Sequence, residues 1–548
     1  MRAISQTSPA KDFTPTPRRG VNVSRFLTQT ARRIPDHTAV IDDDHSVRWT
    51  WKDLDDRAEA LARTLQASGV GRRDSVLLVS ANHAEVVQSF WGIIRAGAVI
   101  APPNAALSTE ELLSISADVA PAAIIVDRAH ADFVEALQQT GFTGAVLWIG
   151  GLPSDLAIPS SAASNDGDPS VPGSDAGVGD FAVEEDDPCW YFFTSGSTGN
   201  PKAATFTHRH LGAVLMNHRC DLFPTEDENG ASLVLAPLSH GAGIHMLAQV
   251  FGGTPSIIHP GGKADPATLW DSIDGYTITN AFTVPTILNR IVAGFPADRG
   301  PTDHSLNRIV YAGAPMLAAD QSQALERLGP CLVQYFGLAE VTGAITVLRP
   351  EEHGQIPVDS AGIGTCGRAR TGVDIVILDE TGAELPAGEQ GEVCVGGPTV
   401  CAGYLGRADA NAESFAHGVF HTGDVGYLDE RGFLFLTGRK SDMYISGGSN
   451  VYPREIEELL LTDAEVAQAV VVGVPDPQWG EIGIAIIEPT VTDADAAERL
   501  RALCKSTLAP YKVPKEIHFV ETMPVTAYGK LARKELKTEY SQGRGSAR

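Results

Sequence analysis

From residue 50 onward the chain alternates between two spacings of apolar positions. Leu54, Ala58, Leu61 and Leu65 recur at helical intervals, "SVLLVS" is a short apolar run, and "AEVVQSFWGIIRAG" returns to helical spacing. "AVIAP" and "AAIIVD" are further apolar runs set among helical stretches. Strands that alternate with helices in this way predict an α/β fold, a parallel sheet covered by helices. No internal repeat accompanies the pattern.

Two shifts interrupt it. Between residues 152 and 188 Ser, Pro, Gly and Asp dominate and the run ends in "VEEDDP", which predicts an exposed acidic loop with little order of its own. Near residue 440 "TGRKSDMYISGGSNVYPREIEELL" is turn-rich and becomes helical from Arg454. The strands "AQAVVVGV" and "IGIAII", a helix over Ala496 to Leu508 and the strand "EIHFV" follow. About a hundred residues of such α+β character are enough for a small domain. The expected organisation is a large body over residues 1–438, carrying the 152–188 loop, and a small C-terminal domain over residues 439–548.

Charge narrows the functions. In 548 residues, 42 Lys and Arg stand against 68 Asp and Glu, a formal charge of −26, which repels nucleic acid and anionic lipid at long range. An anionic small ligand then needs a compact site, in which backbone dipoles and one or two lysines act inside the screening distance of salt. The seven cysteines are scattered without the close pairs of zinc or redox motifs, so they are expected to be reduced and mostly structural. The N-terminal stretch has no apolar core of a secretion signal and no segment is apolar for the length of a bilayer. No membrane span and a cytoplasmic location are therefore expected.

"TSGSTGNPK", Thr194 to Lys202, carries the first candidate chemistry. Its residues are ordinary turn formers, so an incidental loop is one reading. Against the Walker A pattern it fails: counted from Gly196 the second required glycine falls on Pro201, which has no N–H to give, and Ala203 follows Lys202 in place of a hydroxyl. Thr194, Ser195, Ser197 and Thr198 are instead hydroxyl donors on a backbone made pliable by Gly196 and Gly199, with Lys202 adding a point charge. That suits a polyphosphate.

In the longer form "YFFTSGSTGNPKAATFTH" this stretch resembles the signature of the adenylate-forming (ANL) superfamily of acyl-CoA synthetases, luciferases and peptide-synthetase adenylation domains. The resemblance runs from about Val23 to Lys537 with its segments in family order. "RAGAVIAPPNAALSTEEL" looks like an early structural motif without chemistry. "PLSHGAGI" looks like the segment beside the acyl pocket and implies that His240 lies against the substrate carboxylate; the aspartate that holds an ammonium in amino-acid-activating relatives is missing. "YAGAPM" and "QYFGLAE" are similar to the adenine-binding turn and the motif that follows it. They imply Gly313, Ala314 and Pro315 along the adenine, Phe336 stacked on it and Glu340 on Mg²⁺. Ala339 replaces a usual threonine. Tyr335 replaces a usual glycine of the acyl pocket, and its ring either points inward and shortens the pocket or turns away into the sheet.

"HTGDVGYLDERGFLFLTGRKSDMYISGGSNVYPREIE" implies ribose contacts from Asp424 and Arg439, a hinge at Ser441 where relatives usually have Asp or Lys, and at Gly448 a bare backbone that lets a pantetheine arm pass. "PVTAYGKLARKEL" resembles the closing motif, with Lys530 as the catalytic lysine and Tyr528 replacing a commoner small residue. The resemblance thus implies an AMP-forming carboxylate–CoA ligase with a mobile C-terminal domain, using ATP, Mg²⁺ and CoA on a small-molecule carboxylic acid, aryl or short to medium acyl. Only residues 531–548 follow Lys530, so the acceptor is expected to diffuse in. Loading of a separate carrier protein and ATP-dependent amide synthesis share every motif. From other classes, an ATPase or kinase is opposed by the failed Walker count, and a non-enzymatic nucleotide-binding protein by Lys530 and Glu340.

Overall fold

The computed structural model describes residues 20–151, 183–194, 201–223, 229–260, 265–314, 316, 318–343, 345–354, 364–491, 495–524 and 531–545. Its first sheet has six strands in the order Ala145–Trp148, Ala123–Val126, Ser75–Val79, Val99–Ala101, Pro188–Thr194 and Lys202–Thr207. Neighbours run parallel except for the last pair, which is antiparallel. The apolar runs read as strands fall within it, buried along their length.

The helix Trp51–Ala67 starts where Thr50 accepts the Asp53 amide and the Asp53 carboxylate answers, a capping box, and it buries Leu54, Ala58, Leu61 and Leu65. The helix Ala84–Arg95 is buried on every side, as its nearly continuous apolar sequence requires. It packs on the first helix through Gly92, where a Cβ would come 2.8 Å from Leu61 Cδ2.

A second sheet of nine strands runs Arg368–Ala369, Thr346–Leu348, Leu332–Phe336, Arg308–Tyr311, Ile278–Thr283, Ala231–Val234, Ser256–Ile258, Thr38–Asp42, Val47–Thr50. It is parallel in its centre and antiparallel at its edges. The two sheets share one core, in which the helices Ala84–Arg95, His208–Asp221 and Gly241–Ala248 lie. A four-stranded antiparallel sheet, Asp374–Leu378, Gly391–Gly396, Phe420–Leu428 and Leu434–Arg439, completes the large α/β part.

The smaller α+β part is built on five strands: Ser449–Val451, Tyr444–Ser446, Gly480–Pro489 and Val466–Asp476, with Glu516–Phe519 alongside Gly480–Pro489. The helices Pro453–Leu460 and Ala496–Thr507 pack on this sheet. All seven cysteines are free and, Cys220 apart, buried.

One expectation needs correction. The acidic run was read as exposed up to Pro188, yet Asp187 is fully buried. Arg72 donates to both its oxygens at 2.5 and 2.8 Å, Arg73 to one at 2.6 Å and the Glu184 amide to the other at 2.9 Å. A buried carboxylate persists when its lone pairs are filled in this way. Residues 152–182 lie outside the described residues. Burial alone would raise the Asp187 pKa, but these donors outweigh it and hold the group at about 2.

A carboxylate with a depressed folded pKa stabilises above its unfolded value near 4, and that stability is lost as pH falls toward 2. Asp187→Ala is expected to cost about 1.5–3 kcal/mol at neutral pH, the range for hydrogen bonds to a charged group. In urea titrations the gap to the parent protein should close between about pH 4 and 2.

Candidate active site

The parallel strands of the nine-stranded sheet end together. Phe336 is the last residue of Leu332–Phe336, Gly313 and Ala314 follow Arg308–Tyr311, and Thr283 ends Ile278–Thr283. Pro237 to His240 lead from Ala231–Val234 into the helix Gly241–Ala248. Carboxyl ends of adjacent parallel strands are where α/β sheets place ligands, because the loops leaving them splay to opposite faces. Beyond Phe336 the chain turns back at Gly337, where a Cβ would lie 2.0 Å from the Gly343 carbonyl oxygen, so only glycine closes this turn. The short helical turn Ala339–Val341 then presents Glu340.

Thr194 and Lys202 are paired across two antiparallel strands, so the glycine- and hydroxyl-rich stretch is a hairpin connection. A Walker loop leads from a strand into a helix; this one does not. Ser195, Gly196, Ser197, Thr198 and Gly199 lie outside the described residues, as do Pro315 and Lys530.

Residues 402–405 run antiparallel to Lys202–Thr207, with the Thr205 amide donating to Gly403 (2.8 Å), Ala402 to Thr205 (2.9 Å) and Leu405 to Ala203 (2.9 Å). The Cys401 amide donates to the Glu340 carbonyl at 2.8 Å. Tyr404, set by these bonds, donates its hydroxyl to Glu340 Oε1 at 2.7 Å and lies under the Lys202 ammonium, 4.9 Å from the ring centroid. Glu340 Oε2 bonds no described residue. A hard anionic oxygen left open in this way fits a divalent cation such as Mg²⁺.

Asp424 and Arg439 face each other in register on the strands Phe420–Leu428 and Leu434–Arg439, and Arg439 Nε donates to Asp424 Oδ1 at 2.9 Å. Asp424 is buried and its Oδ2 has no partner among the described residues. Burial raises its pKa; Arg439, and more weakly Arg454, oppose the rise. An unpaired oxygen on a buried carboxylate fits a ligand that donates hydroxyls, and a ribose diol is such a ligand.

Glu392 fixes the approach to Asp424 by accepting the Gly423 amide at 3.2 Å, and it also reaches His421 (3.1 Å) and Lys440 (3.7 Å). Ser441 is exposed next to Lys440 and bonds Asp442 at 3.1 Å. Gly448 stands with Gly447 in the hairpin between Tyr444–Ser446 and Ser449–Val451. Both have positive φ, 58° and 81°, so the turn itself demands glycine. A Cβ at Gly448 would meet nothing within 4 Å.

His240 precedes the helix Gly241–Ala248, with Nδ1 2.8 Å from Ser239 Oγ and its ring edge-on to Phe192 at 5.9 Å. Tyr335 is buried in the core shared by the two large sheets, its ring near Phe282 (5.4 Å), His218 (6.4 Å) and the Arg370 guanidinium (5.7 Å). Sequence reasoning did not find Tyr404, Glu392, His218 or Arg370. Their roles arise from pairings across 29 to 152 positions, such as Tyr404 with Glu340 or His218 with Arg370, for which spacing carries no signal.

Comparison with known proteins identifies the family. The model of the AMP-binding enzyme family matches residues 27–405, and that of the AMP-binding enzyme C-terminal domain matches residues 455–530. A feruloyl-CoA synthase of Amycolatopsis is 33% identical over 524 residues, 95% of this chain and all of that protein. A 2-succinylbenzoate–CoA ligase of Bacillus licheniformis is 32% identical over 515 residues, 93% of this chain and 98% of that protein. The o-succinylbenzoate CoA synthetase of Bacillus subtilis, solved with its acyl-adenylate intermediate, superimposes with a TM-score of 0.80 at 26% identity, over 94% of this chain and 98% of that one. The chain belongs to the AMP-binding enzyme family, within the adenylate-forming superfamily. Its general chemistry is the AMP-forming activation of a carboxylate. Among the described residues no helix is long and apolar enough to cross a membrane.

If Asp424 accepts a ligand diol, Asp424→Asn should weaken AMP binding by about 10- to 100-fold, the equivalent of one or two hydrogen bonds to a charged group. Because the Asp424 pKa is raised, AMP affinity of the parent protein should begin to fall on acidification above the ordinary carboxylate range, and this pH dependence should vanish in the variant. Calorimetric titration at several pH values measures both.

Proposed function

We propose that this chain is an AMP-forming carboxylate–CoA ligase acting on a compact acid, with its domain boundary at 438/439 and its hinge at Ser441. The observation that supports this most directly is the contact chain Lys202–Tyr404–Glu340, which sets a cation and an open carboxylate oxygen beside the phosphate hairpin. Near full-length relatives named for CoA ligation support a thiol acceptor.

The reaction brings two anions together, the substrate carboxylate and the α-phosphate of ATP, and charge must be neutralised where they meet. In this reading Thr194, Ser195, Ser197, Thr198 and Lys202, with the pliable Gly196 and Gly199, hold the polyphosphate. Gly313, Ala314, Pro315 and Phe336 hold the adenine, and Asp424 with Arg439 the ribose. His240 orients the carboxylate, and Lys530 stabilises charge at the α-phosphate. Glu340 would hold Mg²⁺, which when bound supplies charge neutralisation.

The carboxylate oxygen attacks phosphorus, the bond to the bridging oxygen breaks, and pyrophosphate leaves acyl-AMP behind. Rotation about Ser441 then withdraws Lys530 and brings up the Gly448 hairpin. The CoA thiol attacks the acyl carbon and displaces AMP, its proton passing to the phosphate of the departing AMP, in a site closed to water.

The test is a panel of carboxylic acids assayed for nucleotide products with and without CoA. AMP and pyrophosphate are expected, with thioester formed only when CoA is present; acid-dependent ADP would refute the reading, and turnover with amines but not CoA would move it to amide synthesis. Lys530→Ala should slow acyl-AMP formation by about 10²- to 10³-fold, the scale for losing one preorganised electrostatic partner, while thioester formation from supplied acyl-AMP survives. Equal loss of both half-reactions in a variant with an unchanged melting temperature would remove Lys530 from that role.

A further inference from the structure

Tyr335 stands where two parts of the site meet. Its strand pairs it with Val347, and its ring enters the core between the large sheets. A Cβ at Gly241 would lie 3.0 Å from Tyr335 Oη and one at Gly343 2.9 Å, so the hydroxyl sits between the start of the helix after His240 and the turn after Glu340. No hydrogen bond joins that hydroxyl to a described residue. A buried tyrosine hydroxyl ordinarily finds a partner, since leaving it unpaired costs about 1–3 kcal/mol. Wall-building alone needs only a phenyl ring.

The ring is backed by charge. Arg370 is wholly buried, with its guanidinium 5.7 Å from the Tyr335 centroid. Its Nη2 lies 3.2 Å from His218 Nδ1, while Nε and Nη1 have no hydrogen-bond partner among the described residues. The nearest carboxylate, Asp221, is 3.6 Å from Nε, and both its oxygens already accept from Thr371, each at 2.8 Å. His218 and His245, which share this region, are held neutral by burial, and His245 Nδ1 and His218 Nε2 are also unpartnered. Arg370 is thus the one cation near the ring among these groups. Burial raises the Tyr335 hydroxyl pKa far above neutrality, so the group stays protonated and donates.

We propose that Tyr335 is a specificity-determining residue whose hydroxyl donates to an acceptor oxygen on the substrate, so that the preferred substrate is a short acid carrying a second oxygen function a few bonds from the activated carboxylate. The inference rests on the carboxylate-activating reading above. The hydroxyl's place next to Gly241, one residue from His240, limits the acid's length. The buried guanidinium behind the ring makes the surroundings favour an electron-rich group. Arg370 acts through the ring and is a positioning residue.

The test uses three size-matched acids: one with an alkyl end, one with a terminal amide and one with a terminal carboxylate. Each is assayed by acid-dependent ATP–pyrophosphate exchange. The parent protein should favour an oxygen-bearing acid over the alkyl acid by about 10-fold or more in kcat/KM, the scale of one satisfied buried hydrogen bond. The amide and carboxylate arms tell a neutral from a charged acceptor. Tyr335→Phe keeps the ring and should bring that ratio close to one, mainly through KM. Tyr335→Gly, which removes the ring as well, should admit acids several carbons longer.

A ratio unchanged by Tyr335→Phe, or a parent preference for the alkyl acid, overturns the inference while leaving carboxylate activation intact. Absence of exchange with these and with longer or aryl acids overturns both. AMP binding by each variant checks that it is folded.

Discussion

The site depends on a short piece of backbone pairing. Residues 402–405 add themselves to the edge of Lys202–Thr207, and the neighbouring Cys401 amide holds the Glu340 carbonyl. These few bonds fasten the six-stranded sheet to the turn that follows Leu332–Phe336 in the other sheet. Each replaces a bond to water and is worth about a kilocalorie per mole, yet together they fix a relative position that no single helix or sheet could. Tyr404 is the consequence. Paired with Ala204 and held against Glu340, it fills one carboxylate oxygen and offers its ring face to Lys202, so two opposite charges stand close without collapsing onto each other. A direct ion pair between Lys202 and Glu340 would consume both groups. The phenol keeps them apart and leaves each with capacity for a ligand.

The same logic recurs at Asp424. A buried carboxylate is costly unless its lone pairs are used, and here one oxygen takes Arg439 while the other is unpartnered among the described residues. Stability alone would favour filling that oxygen, as Asp187 fills both of its own with guanidinium and amide donors. The contrast between two acidic residues of one chain separates a carboxylate whose oxygens are both filled from within from one that keeps an open oxygen, as the proposed ribose contact needs. Glu392 belongs to the first kind: it spends its oxygens on the Gly423 amide and on His421, and so sets the strand that carries Asp424.

What was legible in the sequence followed locality. Helices such as Trp51–Ala67 and strands such as Ser75–Val79 were readable because period and capping are contained in a dozen residues. The small domain was readable for the same reason, with its helix Ala496–Thr507 and strand Glu516–Phe519. Motif resemblance singles out Asp424, Arg439, Glu340 and His240, because the residues that mark each of them stand beside it in the sequence. It did not reach Tyr404, because a tyrosine in "CAGYLGR" is an ordinary aromatic until strand pairing carries it to a glutamate 64 positions away. Arg370 and His218 were hidden likewise, on a turn and a helix 152 positions apart. The acidic run was misjudged at its end because composition cannot see that Arg72 and Arg73 wait for Asp187. At Gly448 the fold adds a second reason to the one the resemblance implies: the two-residue turn with Gly447 itself requires positive φ.

A chain with a net charge of −26 that handles a nucleotide must hide most of that charge from its ligand. Salt removes the distant part, since charges beyond about 8–10 Å are screened. The near part has to be arranged by position. Lys202 lies over Tyr404, Arg439 at Asp424 and Arg370 behind Tyr335, each within a few ångströms of a carboxylate or a ring that fixes its place. The described cations of the site are therefore not a basic patch; they are single charges set one by one against partners that leave part of their field unspent. Under the proposed assignment of these residues, such a surface repels polyanions at long range and accepts one small anion at short range, the discrimination that carboxylate activation on a chain of this charge requires.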